Sequence, residues 1–337
     1  MAPGISALNQ VQIGQETTAG TKVTPTTLWR GMGMIKDNTE IEFLDENIGI
    51  AGGALRSRIP ATGGEIPLAG GFTFEQGGYV FQSGFYSTSP TTDTSSAKIW
   101  TWTVQTGSTD PIETTDLKTL TIRAGDNQQA EFMSYCFTRE FTLSGRVGEG
   151  LDITATMEGR AVGTTDFETG LAIPTVEDVL FTNGLLYLDA TTDIGTTQVS
   201  QTLFSVDLTI TTGWKGYKAA DGRTDFSFAK WTGSDIMLNV TFEHNSTAVT
   251  EKANWRNETE RALRLQFNGS ALSTTDAAAT YDKKALVVDL WGKWESFDAI
   301  SDEDGNNHVT GTFHAGYSST GANKARFIIV NELASLP

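Results

Sequence analysis

At 337 residues the chain is longer than one average domain and fits two of about 150–170 residues. Its 38% apolar and 10% aromatic content is enough for a packed core and rules out a disordered chain. The 41 acidic against 24 basic residues, a net charge of −17, argue against a protein that grips nucleic acid, because neutralising phosphates needs a Lys/Arg surface. The same charge is compatible with a surface that nucleic acid passes without sticking.

Glycine is abundant at 35 and proline scarce at 8, which suits many tight turns between strands. The single cysteine, Cys136, leaves no disulfide within the chain and reads as a small buried residue at a strand start. Met1-Ala2-Pro3-Gly4-Ile5-Ser6 has no basic region and no apolar run, so no signal peptide is expected. No stretch approaches the ~18 consecutive apolar residues of a membrane span.

In chain order, residues 1–30 are polar with little alternation. Gln12-Ile13-Gly14-Gln15-Glu16-Thr17 reads as part of an extended arm that is mobile or laid on a neighbouring subunit, with Gln15, Glu16 and Thr17 as contact residues. Ile41, Phe43 and Leu44 form a short strand. A Gly-rich excursion over residues 45–71 comes next, carrying Arg56 and Arg58 beside Ile59-Pro60. Loops this long are functional or disordered, and the apolar punctuation at Ile50, Leu55, Ile59, Ile66 and Leu68 favours docking on a partner. Phe72-Thr73-Phe74 reads as a strand, residues 75–81 as a short helix weakened by Gly77-Gly78, and residues 87–97 as a polar loop. Strands are expected at Trp100-Thr101-Trp102-Thr103-Val104 and over 117–123.

Residues 135–162 read as one β-hairpin. Phe137, Phe141 and Leu143 alternate with Thr138, Glu140, Thr142 and Ser144. After the glycine-bearing turn at 145–150, Leu151, Ile153, Ala155 and Met157 form the core face, and Asp152, Thr154, Thr156 and Glu158 the water face. Residues 163–200 hold a linker and a bridging strand at 185–188. Strands are expected at 203–210, 237–242, 261–267, 285–294, 308–317 and 326–330, with a loop-rich insertion at 214–232 and a helix over 246–255 capped by Ser246.

The hairpin pattern returns near the C-terminus. Laying His308 on Asp152, an offset of 156 (308 − 152), puts Thr310 on Thr154, Thr312 on Thr156, Phe313 on Met157 and Phe297 on Phe141. Phe72-Thr73-Phe74-Glu75 and Val240-Thr241-Phe242-Glu243 match at 168 (240 − 72). The chain therefore reads as two copies of one β-rich module. The divisions are residues 1–30 (arm), 31–170 (first module), 171–200 (linker) and 201–337 (second module).

No motif points to catalysis, a metal or a cofactor. His244, His308 and His314 lack zinc-ligand spacing, the acidic turn 302–307 lacks the calcium-loop register, and residues 145–150 lie between strands rather than opening a helix. The Asn-x-Ser/Thr sequons at Asn239, Asn245, Asn257 and Asn268 are read as coincidences of composition.

The order and spacing of several segments resemble the tail tube proteins, or major tail proteins, of long-tailed bacteriophages. These segments are Gly14-Gln15-Glu16-Thr17-Thr18-Ala19-Gly20-Thr21, the Glu46-Asn47-Ile48-Gly49 step into the Arg56/Arg58 loop, Gly71-Phe72-Thr73-Phe74-Glu75, residues 135–162, and Val288-Asp289-Leu290-Trp291-Gly292-Lys293 leading through Ser301-Asp302-Glu303-Asp304-Gly305. The resemblance implies a mainly β chain of two tandem β-sandwich or half-barrel modules with one or two short flanking helices. It also implies rings that stack into a hollow tube through which double-stranded DNA leaves the capsid without specific binding. A double module implies three chains per ring in pseudo-sixfold arrangement rather than six. Expected partners are other copies of the chain, the tape measure protein, the distal tail protein and the tail terminator. The expected location is the virion tail, assembled in the host cytoplasm. Thr138, Glu140, Asp152, Thr154, Thr156, Glu158, Thr310 and Thr312 would line the channel, and the arm with Arg56, Arg58 and Ile59 would join rings. The competing reading is a monomeric β-sandwich adhesin that binds carbohydrate on Trp100, Trp102, Trp214 and Trp231.

Overall fold

Alternation in the sequence becomes antiparallel sheet along about half of the chain, which is 49% strand and 8% helical. The computed structural model describes residues 3–52, 55–104 and 117–336. The first half runs β1 (Gln10–Gln15), β2 (Thr27–Leu28), β3 (Met32–Gly33), β4 (Lys36–Asp37), a hairpin of β5 (Glu40–Phe43) and β6 (Ser57–Ala61), β7 (Gly64–Gly71), α1 (Gly77–Gly84), β8 (Thr91–Thr92), β9 (Lys98–Val104), β10 (Leu120–Gly125), β11 (Ala130–Arg146), β12 (Asp152–Gly159) and β13 (Gly163–Thr165). The second half runs β14 (Gly184–Asp189), β15 (Gln198–Val199), β16 (Leu203–Thr211), a hairpin of β17 (Trp214–Tyr217) and β18 (Phe228–Trp231), β19 (Asp235–Glu243), α2 (Ser246–Arg256), β20 (Arg261–Ala271), β21 (Lys283–Phe297), β22 (Ser301–Glu303), β23 (Asn306–Ala315) and β24 (Ala325–Asn331).

Two long strands, β11 and β21, organise these elements, and each serves two sheets. The N-terminal half of β11 pairs with β10 and its C-terminal half with β12; the N-terminal half of β21 pairs with β20 and its C-terminal half with β23. One central sheet results, with strands in the order β7–β12–β11–β16–β19–β23–β21. Its apolar face packs against an outer layer that includes β9, β24, β20 and β14, in a sandwich-like arrangement. Phe81 of α1 sits between the layers, with ring centroids 5.3 Å from Phe141, 5.4 Å from Phe327 and 5.2 Å from Trp102. These rings belong to one core that runs through both halves of the chain. Each fully buried Phe of this kind contributes about 1.5–3 kcal/mol.

Several expectations need correction. The N-terminal segment is a core strand: β1 pairs with β10 along its length, and Val11 and Ile13 are buried. Its few apolar residues suffice because they join a core built by later strands. The strand expected at Phe72–Phe74 is displaced to β7, where Ile66 and Leu68 are buried despite Pro67. The bridging strand expected at 185–188 is β14, and it pairs with β20 of the second half. The modules are not separate sandwiches, since β9 of the first half pairs with β24 at the end of the second. Asn245, not Ser246, caps α2; its side-chain oxygen accepts from the backbone amides of Thr247 and Ala248.

Candidate functional site

The solvent-facing side of the central sheet carries most of the residues expected to act. Cross-strand neighbours share a face, so the registers give its rows. One row runs Asp152, Ser144, Asp207, Asn239, Thr312 and Ser296, and the next runs Thr154, Thr142, Thr209, Met237, His314 and Lys293. A third holds Thr156, Glu140, Thr211 and Asp235. Asp152, Ser144, Asp207, Asn239, Thr310 and Thr312 line a groove of about 510 Å³ on this face. Hydroxyls and amides there satisfy one another: Thr312 Oγ1 donates to Asn239 Oδ1 at 2.8 Å, and Thr241 and Thr310 share a hydroxyl contact at 3.0 Å. His314 Nε2 lies 2.9 Å from Asp235 Oδ1.

Glu158 sits at the margin of this face. Burial pushes its carboxyl above the usual carboxylate range, Arg139 opposes that shift at 3.7 Å, and Glu65 adds to it. No cluster of His, Cys, Asp or Glu among the described residues could hold a metal. Burial also holds the Cys136 thiol well above its ordinary range, which keeps it out of thiolate chemistry.

Seven of the eight expected face residues are brought together. Thr138 is the exception: it is fully buried and shares a 2.8 Å hydrogen bond with Ser83 of α1. A β-bulge at Arg139, between Thr138 and Glu140, shifts the alternation by one residue. The bulge also turns Phe137 onto the opposite side, where Trp214 and Phe226 of the β17–β18 insertion cover it.

The bulge marks a repeat. In β21 the register breaks between Trp294 and Ser296, which puts the extra residue at Glu295, and 295 − 139 is 156. Across the β11–β12 and β21–β23 pairs, Phe141 opposite Ala155 corresponds to Phe297 opposite Gly311 at the same offset. The match at 168 is corrected. Glu65 pairs with Glu158 and Met237 with His314, so β7 and β19 correspond at 172 (237 − 65). Helices take equivalent places too, with α1 packed on β11 and α2 on β21.

The copies differ at one edge. The C-terminal half of β11 is flanked by β16, over Glu140 to Arg146. The equivalent edge of β21 carries no strand among the described residues; Trp255 of α2 donates to Glu295 O there. At the opposite end of the sheet, β3 and β4 pair with β7 as β16 pairs with β19, and no strand covers their outer edge among the described residues.

The expected contact residues divide. Glu16 is buried in its own chain, accepting from Thr119, Thr121, Tyr135 and Gly20, and Gln15 donates to Leu336 O. Their assignment to another subunit is corrected; Thr17 is exposed. Arg56 and Arg58 pair with Glu46 and Glu42 within the exposed β5–β6 segment, beside the outward-facing Ile41, Phe43, Leu55 and Ile59. Of the tryptophans proposed as sugar platforms, Trp100, Trp102 and Trp214 are buried.

No known family matches the sequence, and no curated protein matches it significantly. Geometry therefore carries the functional argument: a two-faced sheet with an acidic, hydroxyl-rich outer surface and two unequal open edges.

Proposed function

We propose that this chain is a structural subunit that assembles head to tail into rings, and that the rings stack into the hollow tail tube of a long-tailed bacteriophage. The supporting observation is the repeat in strand pairing. The two copies share the bulge at Arg139 and Glu295, yet among the described residues only the first has a neighbouring strand along its edge. A second molecule supplies the missing strand, and repeating that contact closes a ring and removes both open edges. Two modules per chain favour three chains per ring.

The polar face then lines the channel. Its carboxylates repel phosphate and its hydroxyls bind it weakly, so double-stranded DNA slides through. The exposed apolar side chains of the β5–β6 hairpin are suited to joining stacked rings. The tape measure protein, the distal tail protein and the tail terminator are the partners this role implies, with assembly in the host cytoplasm and residence in the virion. The role is structural rather than enzymatic. Three of the four tryptophans the adhesin reading would use, Trp100, Trp102 and Trp214, are buried, which favours the tube reading over it.

Negative-stain microscopy beside a sizing column tests the proposal. Hollow rings or tubes are expected; a monodisperse monomer at high concentration and across salt would contradict it.

A further inference from the structure

The repeat specifies more than the existence of a contact: on the ring reading, which it depends on, it also fixes the register in which two copies meet. Inside the chain, Thr209 of β16 lies opposite Thr142 of β11, and Thr211 opposite Glu140. Residues of β3–β4 correspond to those of β16 at an offset of 173 (205 − 32), because Met32 pairs with Ala69 where Ser205 pairs with Thr241, two positions that themselves differ by 172 (241 − 69). Residues of β11 correspond to those of β21 at 156. Carrying the internal junction over by these offsets sends Thr209 to Lys36 and Thr142 to Asp298.

We infer that β3–β4 of one copy adds antiparallel to the open edge of β21 in the next, with Lys36 opposite Asp298 and Asn38 opposite Ser296. Two features fit this register. Lys36 and Asp298 are both exposed, carry opposite charge, and have no ion-pair partner among the described residues. Thr212, whose amide donates to the carbonyl of the bulge residue Arg139, corresponds to another threonine, Thr39, whose amide donates to Asp37 Oδ1 within the chain and at the junction would turn to the carbonyl of the second bulge residue, Glu295. That carbonyl already accepts from Trp255 and has a second lone pair free.

The junction is tested by cysteine cross-linking of assembled protein carrying Lys36→Cys and Asp298→Cys. Directly opposed strand residues have the Cα separation a disulfide needs, and the native Cys136 is buried. Mild oxidation is expected to give a ladder of covalent multimers that ends at the ring size. Thr142→Cys with Thr209→Cys serves as the internal control and gives an intrachain bond. Met32→Cys with Asp298→Cys, displaced by about 13 Å along the strand, gives no ladder. Rings that assemble but cross-link only through the displaced pair overturn the register and leave the tube reading intact. Failure of the unmodified chain to assemble overturns both. Should the cysteine pair itself block assembly, charge exchange decides: Lys36→Asp is expected to abolish assembly and Lys36→Asp with Asp298→Lys to restore it, and absence of rescue overturns the pairing.

Discussion

Glu16→Ala is the substitution that most sharply separates a core role from an arm role. Glu16 Oε1 accepts from Thr121 Oγ1 at 2.8 Å and from the Tyr135 amide at 2.9 Å, and Oε2 accepts from Thr119 Oγ1 and the Gly20 amide, both at 2.7 Å. Tyr135 has a φ of 57°, a left-handed conformation that non-glycine residues adopt at a cost, and it sits where β11 passes from one sheet to the other. Truncation frees two hydroxyls to rotate elsewhere but orphans two amides. At about 1–3 kcal/mol each, and with a small cavity added, the loss is about 4 kcal/mol. At roughly 2 °C per kcal/mol for a chain of this size, Tm falls by about 8 °C. Glu16→Gln keeps the shape but turns an NH₂ toward donors, and is expected to lose about half as much. Urea and thermal unfolding of dilute, unassembled protein, followed by circular dichroism, measures both. A loss below about 1 kcal/mol for Glu16→Ala, with assembly impaired instead, would refute the reasoning and restore the arm.

Three further outcomes rest on the same geometry. Asp289 is fully buried and accepts two hydrogen bonds each from Arg264 and Arg326, so Asp289→Asn leaves two guanidiniums uncompensated and is expected to cost about 3–5 kcal/mol in the urea midpoint. Burial, reinforced by Glu65 and opposed by Arg139, raises the Glu158 pKa, so ionised Glu158 works against the fold. Stability from this group is present below the unfolded carboxylate range and lost as pH rises through the raised folded value. Glu158→Gln should therefore be more stable than the parent at pH 7, with the difference vanishing below about pH 4, as read from unfolding midpoints across pH. Gly292 lies where β21 leaves β20 for β23, and a Cβ there would stand 2.1 Å from His314 O. Gly292→Ala is expected to weaken the β21–β23 pairing and speed amide exchange in β23, which exchange mass spectrometry reads directly.

Strands and helices were legible in the sequence wherever the alternation was local and unbroken. The pattern around Leu151–Met157 maps directly onto β12, and Asp304-Gly305, with φ of 53° and 83°, forms the two-residue turn that such a pair favours. Most of the polar face was legible for the same reason. Thr138 was misplaced because a bulge adds one residue without changing composition, so alternation read through it inverts. The comparable bulge at Glu295 is detectable only by aligning the two halves, and the 156 offset was the signal available for that. Glu16 was misread because three of its four partners lie 103 to 119 residues away, where no local pattern reaches. Trp100 and Trp102 looked like a platform in isolation; their burial follows from β9 pairing with β24 at the far end of the chain.

The most direct test of the central claim is an electron-microscopy reconstruction of the assembled protein. Three chains around an open channel are predicted, with the β3–β4 edge of each against the β21 edge of the next and Thr154, Thr209 and Thr312 on the channel wall. An assembly in which that face points outward, or in which the two edges remain apart, would contradict the account.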